Sequence, residues 1–458
     1  MKSYDLKPTR ENLLSTYRQD VIDRNGDIFM FIELLNMVED SCSIALEGNW
    51  GSGKTFFVKQ VKMVMDAHND FIDPEKDEYR SQIIATRSNY YKENIIPELQ
   101  PQVCVYYDAW ENDNDEDPII SLVYTILNEV STDFSFKNID WAKKGASIME
   151  LFSGKSWTQL IENLKGTSPL DALKEKKDIE QQVGEFFDAL LPEKGNRLVV
   201  FIDELDRCKP SYAVRLLERI KHYFSHENIT FVFSVNINEL RHTIEKHYGE
   251  DFNSSRYLDR FFDLRVTLPS PNLQKYYQSL HFYNTRNVFD IVCDAVINEY
   301  HMELREIARF LRSTKIAAYK ATHGGFDFAF SDGAAMRFCL HFIVPIMFGL
   351  RIVNMQQYNG FIEGKDFSPM LEVAERVKFL GFGELLGRTE TFDADDESRI
   401  HVTIEEKMKD VYDAVFVTVY TGTHYHTEIG GMTFDARTKD VLLRTVGLLS
   451  QFTSFDED

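Results

Sequence analysis

Residues 41–67 read SCSIALEGNWGSGKTFFVKQVKMVMDA. A short apolar strand, SIAL, gives way to a glycine loop, and a helical pattern opens at Lys54 or Thr55. Gly48-Asn49-Trp50-Gly51-Ser52-Gly53-Lys54-Thr55 fits G-x-x-x-x-G-K-[ST], and the strand before it and the helix after it are the context that pattern requires. Glycines let the backbone come close, so successive N–H groups and the helix N-terminus face phosphate oxygens. Lys54 reaches the β and γ phosphates, and the Thr55 hydroxyl holds Mg²⁺. The eight residues from Gly48 to Thr55 are therefore assigned to a bound nucleotide, with ATP and Mg²⁺ as cofactors. Lys54 is expected to stand open to ligand rather than in the core. The competing reading is a glycine turn before an unrelated helix.

A second stretch, LVVFIDELDR at residues 198–207, is an apolar strand ending in carboxylates. Asp203 is placed to orient the metal through water, and Glu204 to polarise the attacking water as general base. Glu204 alone has another reading, a structural ion pair with Arg207. QVCVYYDAW and ENITFVFSVNINEL are further apolar runs followed by polar residues, as suits buried strands of a parallel sheet. Strands alternating with helical stretches such as YAVRLLERIKHYF predict an α/β fold. This is a P-loop NTPase architecture, mostly parallel with helices on both faces, followed by a largely helical C-terminal region.

The 458 residues carry 51 Lys plus Arg against 73 Asp plus Glu, a net charge of −22. That balance disfavours a nucleic-acid glove, because phosphate backbones are held by clustered cations. The five cysteines are scattered without CxxC or Cys/His metal spacing, so a reducing compartment is expected and no structural zinc. The N-terminus lacks the apolar segment of a signal peptide. The most apolar run, Phe338 to Leu350, is 13 residues long and sits between Arg337 and Arg351. It is short of the roughly 20 residues a bilayer needs and reads as a buried helix, so cytoplasmic location without membrane insertion is the expectation.

Four segments are expected: a helical lead-in over 1–40, the nucleotide domain over 41–270 with a helical insertion at about 111–196, a helical domain over 271–390, and a mixed segment over 391–458. The last holds an acidic stretch, DADDE, a strand, AVFVTVY, and a terminal helix, TKDVLLRTVGLL.

Weaker signals each have two readings. Asn236 ends the FVFSVN strand and is assigned as a sensor of the γ-phosphate or attacking water, against a helix-capping role. Ser234 stands beside it. Arg305, Arg309 and Arg312 form a basic stripe along one helix, read as a solvated or ion-paired face, against a second sensor touching nucleotide or a surface for an acidic partner. Trp50 and Trp110 are read as core or adenine-neighbouring aromatics rather than catalytic groups, with packing expected. The acidic loop Asp113, Asp115, Glu116 and Asp117 lacks the pattern of a calcium loop and reads as a solvated turn. His424-Tyr425-His426 has no third ligand nearby, and no metal is assigned to it.

Taken in order, GNWGSGKT, YYDAWEND, VVFIDELDRCKP with LLERIK, FVFSVNINELRHTIEKHYG and RYLDRFFDLRVTLP resemble the KAP family of P-loop NTPases over about residues 20–320. Many members of that family carry transmembrane helices between the phosphate loop and the acidic strand. Residues 111–196 are too polar for this, so a soluble bacterial-type member is implied. Asp108 replaces a frequent asparagine, and Arg260 a frequent lysine. The resemblance puts a basic residue at Arg260, assigned as an arginine finger acting on a neighbouring subunit. Its rivals are Arg207 and Arg305, and the plain alternative is an ion pair with Asp259 or Asp263. The implied function is an ATP-hydrolysing switch that works as a homo-oligomer with a protein partner or effector, in bacterial antiphage defence. The alternatives are a nucleotide-binding scaffold without turnover and a DNA-acting motor.

Overall fold

The computed structural model describes residues 6–72, 78–92, 95–115, 117–133, 185, 187–188, 191, 195–223, 227–279, 288–323, 333–377, 390–392, 399–401 and 403–447. The chain divides into one unit of Leu6–Tyr276 and another from Tyr277 onward.

The first unit is built on five strands, β1 (Cys42–Glu47), β2 (Gln102–Asp108), β3 (Arg197–Asp203), β4 (Ile229–Val235) and β5 (Leu264–Thr267), in the order β2-β3-β4-β1-β5. Every pairing is parallel. Parallel neighbours need crossover connections, and these place helices on both faces. Alternation along each strand sorts the side chains between those faces. Ile44, Leu46, Val199, Phe201 and Val232 join a core with Leu13, Tyr17, Phe31, Leu35, Phe57 and Val61. Those partners come from α1 (Arg10–Gln19), α2 (Asn25–Met37) and α3 (Lys54–Ala67). Ala45, Leu198, Val200, Ile202, Phe231 and Phe233 join the opposite core with Leu122, Leu216, Leu240 and Ile244. Here the helices are α5 (Pro118–Asp133), α6 (Pro210–Tyr223) and α7 (Ile237–Tyr248), while α4 (Arg80–Tyr91) adds Ile83 to the first face. Each such side chain contributes about 1.5–3 kcal/mol when fully buried.

Topology decides what meets at the carboxyl edge. β4 lies between β1 and β3, so Ser234 is the register partner of both Leu46 and Asp203. The glycine loop after β1 and the acids after β3 are thus two strands apart, with the end of β4 between them. Of the expected insertion, α5 is the helix described; residues 134–184 lie outside the described residues. Arg24, at the start of α2, donates to Ser52 O at 2.7 Å and Pro269 O at 2.6 Å, tying the lead-in to the loop.

The second unit is mainly helical, with α8 (Val288–Glu299) and α9 (Leu304–His323) among its members. Arg305, Arg309 and Arg312 stand exposed on α9, opposite buried Ile307, Ala308 and Leu311. The apolar run belongs to a longer helical stretch than expected, Gly333–Val353, with a π turn at Cys339–Ile343. By length and composition alone it is long and apolar enough to cross a bilayer, yet 67% of its apolar window is buried inside the fold. The strand expected in AVFVTVY is not there. Asp413–Val417 forms a π-helical turn continuing the helix Ile404–Tyr412, because Ala414, Val415 and Phe416 are buried together on one side of that turn. A β-branched run fits either element, and packing chose. The terminal helix covers Ala436–Gly447. The DADDE stretch lies outside the described residues.

Candidate nucleotide site

β1 ends at Glu47, and the chain turns through the glycines into α3. Gly51 and Gly53 have φ of +88° and +92°, a left-handed conformation that costs residues with a side chain about 1–2 kcal/mol. Gly48 is needed for space: a Cβ there would lie 2.9 Å from Ser52 Oγ and 3.3 Å from Lys54 Cγ. Lys54 Nζ donates to Gly48 O at 2.7 Å and Asn49 O at 3.0 Å. The expectation of an open lysine is corrected, since Lys54 is only 8% exposed. Its stem packs inside the loop, and the loop's carbonyls stand in for water around the ammonium. Burial lowers its pKa.

Asp203, 1% exposed, closes β3. Its Oδ2 accepts from the Tyr106 hydroxyl at 3.0 Å and its Oδ1 from the Glu204 backbone N–H at 3.1 Å. Glu204 follows with φ of +60°. Its Oε2 is 2.6 Å from Arg207 Nε, so the ion pair weighed from the sequence is present. Burial, and then the charge of Asp203, push the Glu204 pKa up to about 7 against the pull of Arg207.

The tryptophans are not core residues. Trp50 is 44% and Trp110 53% exposed, and the Arg207 guanidinium lies 5.7 Å from each ring centroid. A cation on a ring face is favourable without burying the ring, which explains why large aromatics stay at the surface here. Trp50 Nε1 also donates to Asp206 Oδ2 at 2.6 Å. Asp206, which the sequence reading did not assign, is buried. Burial raises its pKa, and the Trp50 bond works against that rise. Its only sequence signal was a place three residues after Asp203. Tyr106 was missed likewise, since one tyrosine in an apolar strand carries no mark.

Asn236 is the N-cap of α7, its Oδ1 accepting from Asn238 N at 3.2 Å, so the capping role is filled. Arg260 stands exposed in the turn after the short helix Ser254–Leu258. Its side chain has no partner among the described residues. The acids of the alternative reading are engaged elsewhere: Asp259 binds Arg265 at 2.5 Å, and Asp263 accepts from Ser43 N at 2.8 Å. The acidic loop is not simply solvated either. Asp117 is 6% exposed and 3.1 Å from Arg219, and Asp113 accepts from Lys209 N at 3.2 Å.

The residues present fit a triphosphate with magnesium. Ser52 Oγ in the loop and Ser234 Oγ at the end of β4 are buried with no hydrogen-bond partner among the described residues. The donor set for the metal, the Thr55 hydroxyl and the Asp203 carboxylate, is all hard oxygen. Mg²⁺ is usually held by one or two carboxylates plus substrate phosphates and retains several waters. Among the described residues no group of three or more His, Cys, Asp or Glu could form an all-protein cage.

The KAP family P-loop domain matches residues 28–319. No curated protein matches the sequence. Among solved structures, the Aeropyrum pernix ORC2 protein in its ADPNP-ADP complexes is similar at 11% identity, over 86% of this chain and 95% of that one, with a TM-score of 0.31.

Proposed function

The chain belongs to the KAP family of P-loop NTPases, and from that premise we propose that it is a Mg²⁺-dependent ATPase acting as a switch. The observation that carries the reading is the pairing of a glycine loop, closed over Lys54, with the carboxylates of Asp203 and Glu204 at the same edge of a parallel sheet. Ligands of open α/β sheets bind outside the carboxyl ends of the strands.

In this scheme Lys54 and the loop N–H groups hold the β- and γ-phosphate oxygens, while Thr55 and Asp203 hold the metal. When bound, Mg²⁺ neutralises charge between those phosphates. Glu204 accepts a proton from water as the water oxygen bonds to the γ-phosphorus and the bond to the bridging oxygen of ADP breaks. Arg260, exposed and unpaired, is proposed to supply charge to the γ-phosphate of a neighbouring copy. A homo-oligomer, a separate protein effector, an antiphage role and a cytoplasmic location belong to the same proposal. Release of inorganic phosphate from ATP, measured with Mg²⁺ and again with excess chelator, tests it. Turnover that ignores the metal, or no turnover, overturns it.

One observation favours a second reading, a nucleotide-binding scaffold. Glu204 is engaged by Arg207, which would leave ATP bound and intact if the pair never opens. Tight ATP binding without phosphate release identifies that case. The exposed stripe of Arg305, Arg309 and Arg312 is what a DNA-acting motor would use, and affinity for DNA falling steeply with salt would reveal it.

A further inference from the structure

Three side chains far apart in sequence come together, with the Arg207 guanidinium 5.7 Å from the ring centroids of both Trp50 and Trp110. Trp50 comes from the phosphate loop, Arg207 from the turn after β3, and Trp110 from the loop after β2, where Asp108 Oδ1 accepts from the Trp110 backbone N–H at 3.0 Å. Each member is fixed a second time. Trp50 is held at its Nε1 by Asp206, and Arg207 Nε binds the Glu204 carboxylate. We propose that Arg207 is a positioning residue that couples the phosphate loop to the Glu204 carboxylate, with Trp50 and Trp110 as the two rings that hold its guanidinium by cation–π attraction. The proposal rests on the nucleotide-site reading above and deepens it.

The physical argument starts from the loop. Trp50 is one of the eight residues that wrap the phosphates, so any adjustment of that backbone on binding carries its ring along. A guanidinium drawn to two rings at 5.7 Å from each centroid follows the ring that moves, because cation–π attraction ties it to both. Its Nε hydrogen bond then moves Glu204. Trp110 has no place in the glycine loop, and the motion reaches it through Arg207. Glu204 is suited to such control, since its left-handed backbone is a conformation that persists only where surroundings enforce it. Lysine could not substitute, as an ammonium lacks the planar fork that bonds a carboxylate at its edge while leaving a face for aromatic rings.

Two measurements test the coupling. In the first, ADP is the probe, its binding is followed by equilibrium dialysis, and the Trp110 contribution to emission is taken as the difference between wild type and Trp110→Phe. ADP is expected to change that contribution in wild type, and Arg207→Gln to abolish the change while still binding ADP within about threefold. Arg207→Lys should behave as Arg207→Gln does, and it serves if the glutamine variant fails to fold. In the second, Arg207→Gln is expected to lower kcat about 10- to 100-fold with KM nearly unchanged, the scale of a misplaced catalytic group. Trp110→Leu should lower kcat in wild type but add nothing in a Glu204→Gln background, because both changes then act through one carboxylate. A Trp110 response that survives Arg207→Gln, its absence in a wild type that binds ADP, or independent multiplication of the Trp110 and Glu204 effects overturns the coupling and leaves the nucleotide site standing. A wild type that binds no ADP overturns both.

Discussion

The Tyr106 hydroxyl reaches past its register partner Phe201 to donate to Asp203 Oδ2 at 3.0 Å. The carboxylate assigned to Mg²⁺ is therefore already oriented from the neighbouring strand. Lys59 Nζ lies 4.0 Å from the centre of the same ring and holds it from the α3 side.

Removing that hydroxyl tests the metal assignment with little disturbance to packing. Partners that orient a metal ligand are typically worth about 10- to 100-fold in metal affinity or activity. Tyr106→Phe should raise the Mg²⁺ concentration giving half-maximal ATP turnover by that factor. An unchanged Mg²⁺ titration would detach Asp203 from the metal.

Lys54→Ala should abolish ATP binding. In a thermal-shift assay at about 100-fold saturation the wild type should gain roughly 2.7 kcal/mol from the ligand, and the variant almost none. Because Lys54 bonds Gly48 O and Asn49 O, the ligand-free variant should also melt somewhat lower than wild type. Equal ligand-induced shifts in both proteins would remove the site from this loop.

Glu204→Gln should retain ATP and slow its hydrolysis about 10²- to 10⁴-fold, the usual contribution of a positioned base. Radiolabelled ATP stays on the protein in that case. Wild-type rates in the variant would hand the role to another residue, with Asp206 and Asp108, whose charges bear on Glu204, the carboxylates to examine.

Arg260→Ala should bind ATP normally but lose about 10³- to 10⁵-fold in turnover if it serves a neighbouring copy. Mixing it with Lys54→Ala should restore part of the activity, since one protein brings an intact site and the other the arginine. Specific activity that does not change with protein concentration, together with no rescue on mixing, would make Arg260 an ordinary surface residue.

His68 caps the C-terminal end of α3, and burial lowers its pKa below the usual 6.5 despite its bond to Val64 O. The unfolded chain takes up this proton first, so the stability held by neutral His68 is full above about pH 6.5 and is lost as pH falls through the lower folded value. His68→Gln should flatten that part of the stability profile in urea titrations between pH 7.5 and 5. A parallel acid loss in variant and wild type would assign the slope to other groups.

How far the site could be read from sequence follows the range of the interactions. Gly48, Gly51, Gly53 and Lys54 were legible because the loop's demands are local: positive φ at Gly51 and Gly53, no room for a Cβ at Gly48, and a helix starting at Lys54. Asp203 and Glu204 were legible because an apolar strand ending in acids announces itself. Lys54's burial was not, since it depends on two loop carbonyls folding back over the ammonium. Arg260's lack of a partner was hidden too, because its acidic neighbours are drawn to Arg265 and to Ser43.

The sequence by itself determined the strand, loop and helix of residues 41–67, the acidic end of β3 and the alternation that divides the two cores, because backbone preference and hydrophobic period act over a few residues. Tertiary structure alone decided that Trp50 would meet Asp206 and Arg207 some 156 residues away in the chain. It also brought Tyr106 to Asp203 and folded AVFV as helix instead of strand. Those outcomes depend on which strand lies beside which and on what space the assembled core leaves, and neither quantity is written in any short stretch of residues.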